Sequence, residues 1–73
     1  MQPHVQFGRN LRAQRIAAGW SQQELSERCA LHLTEISRLE NGRRDPRLST
    51  IVKLADGLGI APGELLAAAG AHG

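Results

Sequence analysis

The sequence predicts an all-α fold, a compact bundle of five short helices making one domain over residues 1–73, with an ordered core from about 4 to 69. Three observations predict it. The helix formers Ala, Leu, Arg, Gln and Glu dominate, Tyr is absent and β-branched residues are few, so local propensity favours helix. Apolar residues recur three and four apart instead of alternating. Start signals of Ser or Pro and stop signals of Gly cut the chain into five such segments. A chain of 73 residues has room for one core, already marginal in size.

The first helix, about His4 to Ala18, places Phe7, Leu11 and Ala18 inward and stops at Gly19. The second opens at Ser21, whose hydroxyl suits the backbone N–H three residues on while Glu24 reaches back, a reciprocal capping box. Trp20 and Leu25 stand at the spacing of a hydrophobic staple around that cap, so Trp20 is packing rather than a platform for bases. Leu25 and Cys29 share one narrow face, which must dock on something to persist. The third helix, about Leu33 to Leu39, turns Leu31, Ile36 and Leu39 inward and Leu33, Thr34, Ser37 and Arg38 outward. His32 stands at its N-cap and Asn41-Gly42 offers a left-handed stop. Leu48, Ile51, Val52, Leu54, Ala55 and Leu58 make a more apolar fourth helix ending at Gly57 to Gly59. Ala61-Pro62-x-Glu64 opens a fifth, with Pro first and an acid at the positive end of the dipole. Leu65, Leu66 and the following alanines form its apolar side, and the tail from Gly70 frays.

Residues 21 to 40 therefore read as a helix-turn-helix. The outward set of its second helix suits the floor of a DNA major groove, where Arg can fork onto guanine and a Thr or Leu methyl can meet a thymine methyl. Glu35, on the same helix, could accept from a cytosine amine but is expected to face solvent. The charge is unevenly placed. Residues 1 to 47 carry eight Arg against five acids, a balance of +3, and the rest sums to −1. Arg9 and Arg12 on one side and Arg43, Arg44 and Arg47 on the other stand where phosphates flanking a groove would lie.

With these residues in view, the chain resembles the Xre-type helix-turn-helix family of Cro and the lambdoid phage repressors, which includes restriction-modification controller proteins. The resemblance runs over roughly residues 5 to 67. It is carried by Gly8, Leu11 and Arg15; by Ser21-Gln22-x-Glu24-Leu25; by Ile36-Ser37-Arg38-Leu39-Glu40-Asn41-Gly42 and Pro46; by Leu54-Ala55-x-x-Leu58-Gly59-Ile60; and by Glu64-Leu65-Leu66. It implies a lambda-repressor-like bundle in which Gln22 and Asn41 touch the sugar-phosphate backbone and Leu33, Thr34, Ser37 and Arg38 face base edges. Gln23 and His32 join the expected phosphate contacts. It also implies a structural ion pair between Arg15 and Glu40. The chain departs from the family pattern at Ala30, where a turn Gly is usual, and at Ser26, where Ala is usual. A non-Gly residue in a left-handed turn costs on the order of 1 kcal/mol, and Ser26 can bond back to a helix carbonyl.

The function expected is sequence-specific double-stranded DNA binding by a transcriptional regulator, a repressor, with the third helix in the major groove of a pseudo-palindromic operator. One such helix reads few base pairs, so a two-fold homodimer is expected, its patch among Ile60, Leu65, Leu66 and Ala67 to Ala69. A second reading, an antitoxin that binds a toxin partner, uses the same fold; a third is the DNA-binding piece of a longer regulator. No triad, paired-acid or glycine-rich phosphate arrangement is visible, so no enzyme and no cofactor are expected. His4, His32 and His72 have no metal-like spacing, and Cys29 reads as a small buried hydrophobe. One cysteine and the lack of a membrane-length apolar run suit a cytoplasmic, nucleoid-associated protein with no membrane contact.

Overall fold

In the computed structural model, which describes residues 2–67, five helices follow one another: α1 (Pro3–Ala17), α2 (Gln22–Cys29), α3 (Leu33–Glu40), α4 (Leu48–Leu58) and α5 (Pro62–Leu66). The described residues contain no strand. Helix α1 packs on α3 and α5, α2 on α3 and α4, and α4 on α5. The core between them consists of Phe7, Leu11, Leu25, Cys29, Ile36, Leu39, Ile51, Leu54, Ala55 and Leu65. Every helix contributes to it, which is how helices too short to persist alone stabilise one another.

Left-handed glycines follow α1, α3 and α4, and Ala30 follows α2. Gly19 (φ 77°) follows α1, with Gly19 N–H donating to the Ile16 carbonyl and Trp20 N–H to that of Arg15. Gly42 (φ 68°) repeats the arrangement after α3, with bonds to the Leu39 and Arg38 carbonyls. Ala30 (φ 55°) is the non-glycine left-handed residue that the sequence led us to expect in the turn. The α2 capping box forms in both directions: Ser21 Oγ accepts from Glu24 N–H at 3.1 Å, and Ser21 N–H donates to Glu24 Oε1 at 2.9 Å. The Glu24 carboxyl is held below its usual range by the backbone bond from Ser21. Ser26 is buried and its hydroxyl donates to the Gln23 carbonyl at 2.7 Å, the back-bond expected of it.

Two interior glycines mark where helices touch. A Cβ on Gly8 would collide with the Leu39 carbonyl oxygen and sit 2.9 Å from that of Glu40, so α1 crosses the end of α3 backbone to backbone. A Cβ on Gly57 would strike Cys29 Sγ, so the buried thiol fills the space that Gly57 leaves on α4. Burial pushes the Cys29 thiol up, in line with its role as a packed apolar group.

Tertiary packing departs from the expected core in several places. Ala18 is exposed, because the chain already swings out of α1 at that residue. Leu48 (76% exposed) and Val52 (42%) share a face of α4 turned away from the bundle. Leu65, expected on a dimer surface, is fully buried, and Ile60 packs against the core; of that patch Leu66 and Ala67 stay exposed among the described residues. Ala68 and Ala69, the rest of the patch, and the tail with His72 lie outside the described residues. His32 occupies the N-cap of α3 but its side chain forms no cap hydrogen bond. No described helix is long and apolar enough to cross a membrane.

Candidate nucleic-acid interface

The third helix owes its orientation to a strict division of faces. Ile36 and Leu39 are fully buried, whereas Leu33 (42% exposed), Thr34 and Arg38 face outward and Ser37 is half-buried at the edge of the same surface. Leu33 with Ser37 and Thr34 with Arg38 are i, i+4 pairs, so the four side chains form one patch along two helical turns. Glu35 lies half-buried on the flank.

A polar network fixes the angle at which this helix is held. Arg15 Nε donates to Glu40 Oε2 at 2.7 Å, and Arg15 Nη2 donates to Glu40 Oε1 at 3.0 Å. Arg15 Nη1 donates to the Trp20 carbonyl at 2.9 Å and Gln22 Nε2 to Glu40 Oε1 at 3.1 Å. The side chains of Arg15 and Glu40 are only 13% and 3% exposed. The ends of α1 and α3 and the start of α2 thus meet at one carboxylate. The bond to Glu40 pushes the Arg15 guanidinium up against the opposing effect of burial, so Arg15 keeps its charge in the partly buried site. The structural pair implied by the resemblance is present, with Gln22 added to it.

The cations that could grip a backbone lie outside that network. Arg9, Arg12, Arg38, Arg43, Arg44 and Arg47 are exposed, and among the described residues none of them forms an ion pair. The three arginines of the loop follow directly on α3 and its Gly42 turn, so they are carried beside the outward patch. His4 Nδ1 stands 3.4 Å from Asp45 Oδ1, and Val5 borders Gly42, so the loop rests against the start of α1. On α1, Arg12 is one turn beyond Gly8 and flanks the crossing with α3. Arg9, two residues from buried Leu11, points away from the core.

Three amides expected at the backbone donate to partners within the chain in this structure. Gln22 donates to Glu40, Gln23 Nε2 to Glu27 Oε2 at 3.0 Å, and Asn41 Nδ2 to the Ser37 carbonyl at 2.9 Å. His32 is exposed at the start of α3. Two structural roles escaped the sequence reading. Asn10 Nδ2 donates to the Leu65 and Ala67 carbonyls at 2.9 and 2.6 Å, closing α5 onto α1. The Arg28 guanidinium lies 4.1 Å from the centre of the Trp20 ring and covers the staple. Nothing local announces Asn10, since its partners are more than fifty residues away. Gly8 carried a legible sign, because glycine inside a helix costs about 1 kcal/mol and needs a packing reason. Among the described residues no group of three or more His, Cys, Asp or Glu could hold a metal ion.

Comparison with known proteins gives a consistent result. The helix-turn-helix domain family matches residues 6–69. A hypothetical transcription factor of Neisseria meningitidis is 44% identical over 57 residues, which is 78% of this chain and 54% of that protein, so the chain spans about half the length of that relative. The control protein C.BamHI of Bacillus amyloliquefaciens is 39% identical over 61 residues, 82% of this chain and 75% of that one. The crystal structure of the restriction-modification controller protein C.AhdI from Aeromonas hydrophila superposes with a TM-score of 0.83 at 40% identity, covering 85% of this chain and 94% of that chain.

Proposed function

The chain belongs to the helix-turn-helix domain family, in keeping with the Xre-type motifs it carries, and from that premise we propose that it is a sequence-specific double-stranded DNA-binding transcriptional repressor. Helix α3 enters the major groove, with Arg38 placed to fork onto a guanine and Leu33, Thr34 and Ser37 meeting neighbouring base edges. Arg43, Arg44 and Arg47 hold phosphates beside it, and Arg9 and Arg12 add positive field from α1. The observation that carries this reading is one exposed patch, Leu33, Thr34, Ser37 and Arg38, on a helix locked by a buried ion pair and followed by three uncompensated arginines.

A helix of eight residues reads only a few base pairs, so useful specificity requires two copies. The protein acts as a two-fold dimer whose half-sites lie about one helical turn, roughly 34 Å, apart. With Leu65 buried, the large apolar side chains exposed outside the α3 patch are Ile16 of α1, Leu48 and Val52 of α4 and Leu66 of α5, and the dimer contact draws on these. The likeness to C.BamHI and C.AhdI, both controller proteins, supports a regulator of this compact kind.

The test is to incubate purified protein with sheared DNA from its source genome at near-physiological salt, then recover and sequence the bound fragments. Enrichment of a short inverted repeat with one-turn spacing is the expected result; no enrichment above input overturns the reading. Sedimentation on the enriched duplex gives the stoichiometry, and one protein per duplex at saturation refutes the dimer.

A further inference from the structure

We propose that Asn41 is a positioning residue that makes the Ser37 hydroxyl a hydrogen-bond donor toward a base edge. The inference rests on the DNA-binding reading above and adds a determinant of specificity to it. Asn41 caps the end of α3, and its Nδ2 lies 2.9 Å from the Ser37 carbonyl oxygen and 3.4 Å from Ser37 Oγ. The orientation of the amide follows from chemistry: turned over, it would set Oδ1 against a carbonyl oxygen, two acceptors face to face. The nitrogen therefore faces Ser37 and its N–H group reaches the hydroxyl oxygen as well as the carbonyl.

A serine hydroxyl left to itself rotates and can donate or accept, which makes serine an indifferent reader of bases. Ser37 is not left to itself. With one lone pair of Oγ taken by Asn41, the hydroxyl proton is kept out of that direction, which biases Ser37 toward donation on the outward patch it shares with Leu33 and Arg38. A donor there matches guanine O6 or N7, adenine N7 or thymine O4, and mismatches the cytosine N4 amine.

The experiment selects duplexes from a library with randomised positions, using the wild type, Ser37→Ala, Asn41→Ala and Asn41→Asp, with circular dichroism melting to establish that each variant is folded. Ser37→Ala identifies the base position that Ser37 reads. There the wild type disfavours cytosine on the contacted strand, and Asn41→Ala weakens that discrimination by roughly three- to tenfold, the range of one hydrogen bond. Asn41→Asp sets a carboxylate against the Ser37 carbonyl oxygen, cannot hold the hydroxyl as the amide does, and weakens the discrimination likewise. Retention of the wild-type preference by both Asn41 variants, with affinity lost evenly over all sequences, overturns the proposal and returns Asn41 to the backbone. So does a Ser37→Ala variant with no altered position. A wild-type protein that selects no motif at all overturns the DNA-binding reading itself, an outcome distinct from these.

Discussion

Replacing Glu40 with Ala should be among the most damaging single changes available to this chain. Its carboxylate accepts three hydrogen bonds, two from Arg15 and one from Gln22, in a site where only 3% of the side chain is exposed. Removal leaves the Arg15 guanidinium, itself 13% exposed, with the Trp20 carbonyl as its remaining partner. Losing one half of a buried pair costs about 3–5 kcal/mol, most of it from the stranded charge. A domain of 73 residues at 0.05–0.15 kcal/mol per residue has roughly 4–11 kcal/mol to lose. The variant should therefore melt at least about 12 °C below the wild type, at about 4 °C or more per kcal/mol. Glu40→Gln keeps the shape and one acceptor oxygen but loses the charge, and should cost less, about 1.5–3 kcal/mol.

The decisive variant is Arg15→Met with Glu40→Leu. If the pair fixes geometry and adds little net stability, replacing both halves with apolar groups should return stability to within about 1 kcal/mol of the wild type, far above the sum of the single losses. Urea unfolding of the wild type, Arg15→Met, Glu40→Leu and the double variant, followed by the single tryptophan, Trp20, and in parallel by far-ultraviolet circular dichroism, measures all four corners of the cycle. A Glu40→Ala cost under about 1 kcal/mol, or additive losses in the double variant, would refute the reasoning.

Gly8→Ala should destabilise by about 1–3 kcal/mol or more in spite of alanine's better helix propensity, because the new methyl meets the Leu39 and Glu40 carbonyls; a neutral melting curve would mean α1 can slide away from α3. Ala30→Gly relieves a left-handed alanine and should raise the melting temperature by a few degrees, less than the full 1–2 kcal/mol because glycine also gains freedom in the unfolded chain. Glu24 titrates below its usual range through its bond to Ser21, so its contribution to α2 is present above the ordinary carboxylate value, about pH 4.3, and is lost as pH falls through the lowered one. The stability gap between wild type and Glu24→Gln should accordingly close on acidification, and a constant gap from pH 7 to pH 2 would contradict the cap. On DNA, Arg43→Ala should weaken all sequences alike and reduce the salt slope by about one. Arg38→Ala should cost about 1–3 kcal/mol and relax preference at one position; the reverse pattern in a filter-binding panel would exchange their roles.

Five helices, their order and most of their ends were legible because they rest on local chemistry. Ser21 and Glu24 cap whatever follows them, Gly19 and Gly42 stop a helix wherever it packs, and a stripe such as Leu25 with Cys29 has one face to bury. The outward patch of α3 was legible for the same reason, since Ile36 and Leu39 inside force Leu33, Thr34, Ser37 and Arg38 outside. Periodicity alone could not say which apolar residues win a place in the core. Leu48 and Val52 carry the same pattern as Ile51 and Leu54 but face out, and Leu65 is buried where a contact surface was expected, because five helices enclose only so much volume. Nor could it supply partners distant in the chain. Asn10 reaches α5 across more than fifty residues, and the Glu40 carboxylate gathers Arg15 and Gln22 from two other helices. The amino-acid order by itself determined which segments are helical and which face each would hide. The tertiary structure decided how those faces meet and where the polar groups between them find partners, since both depend on distances that only the packed chain defines.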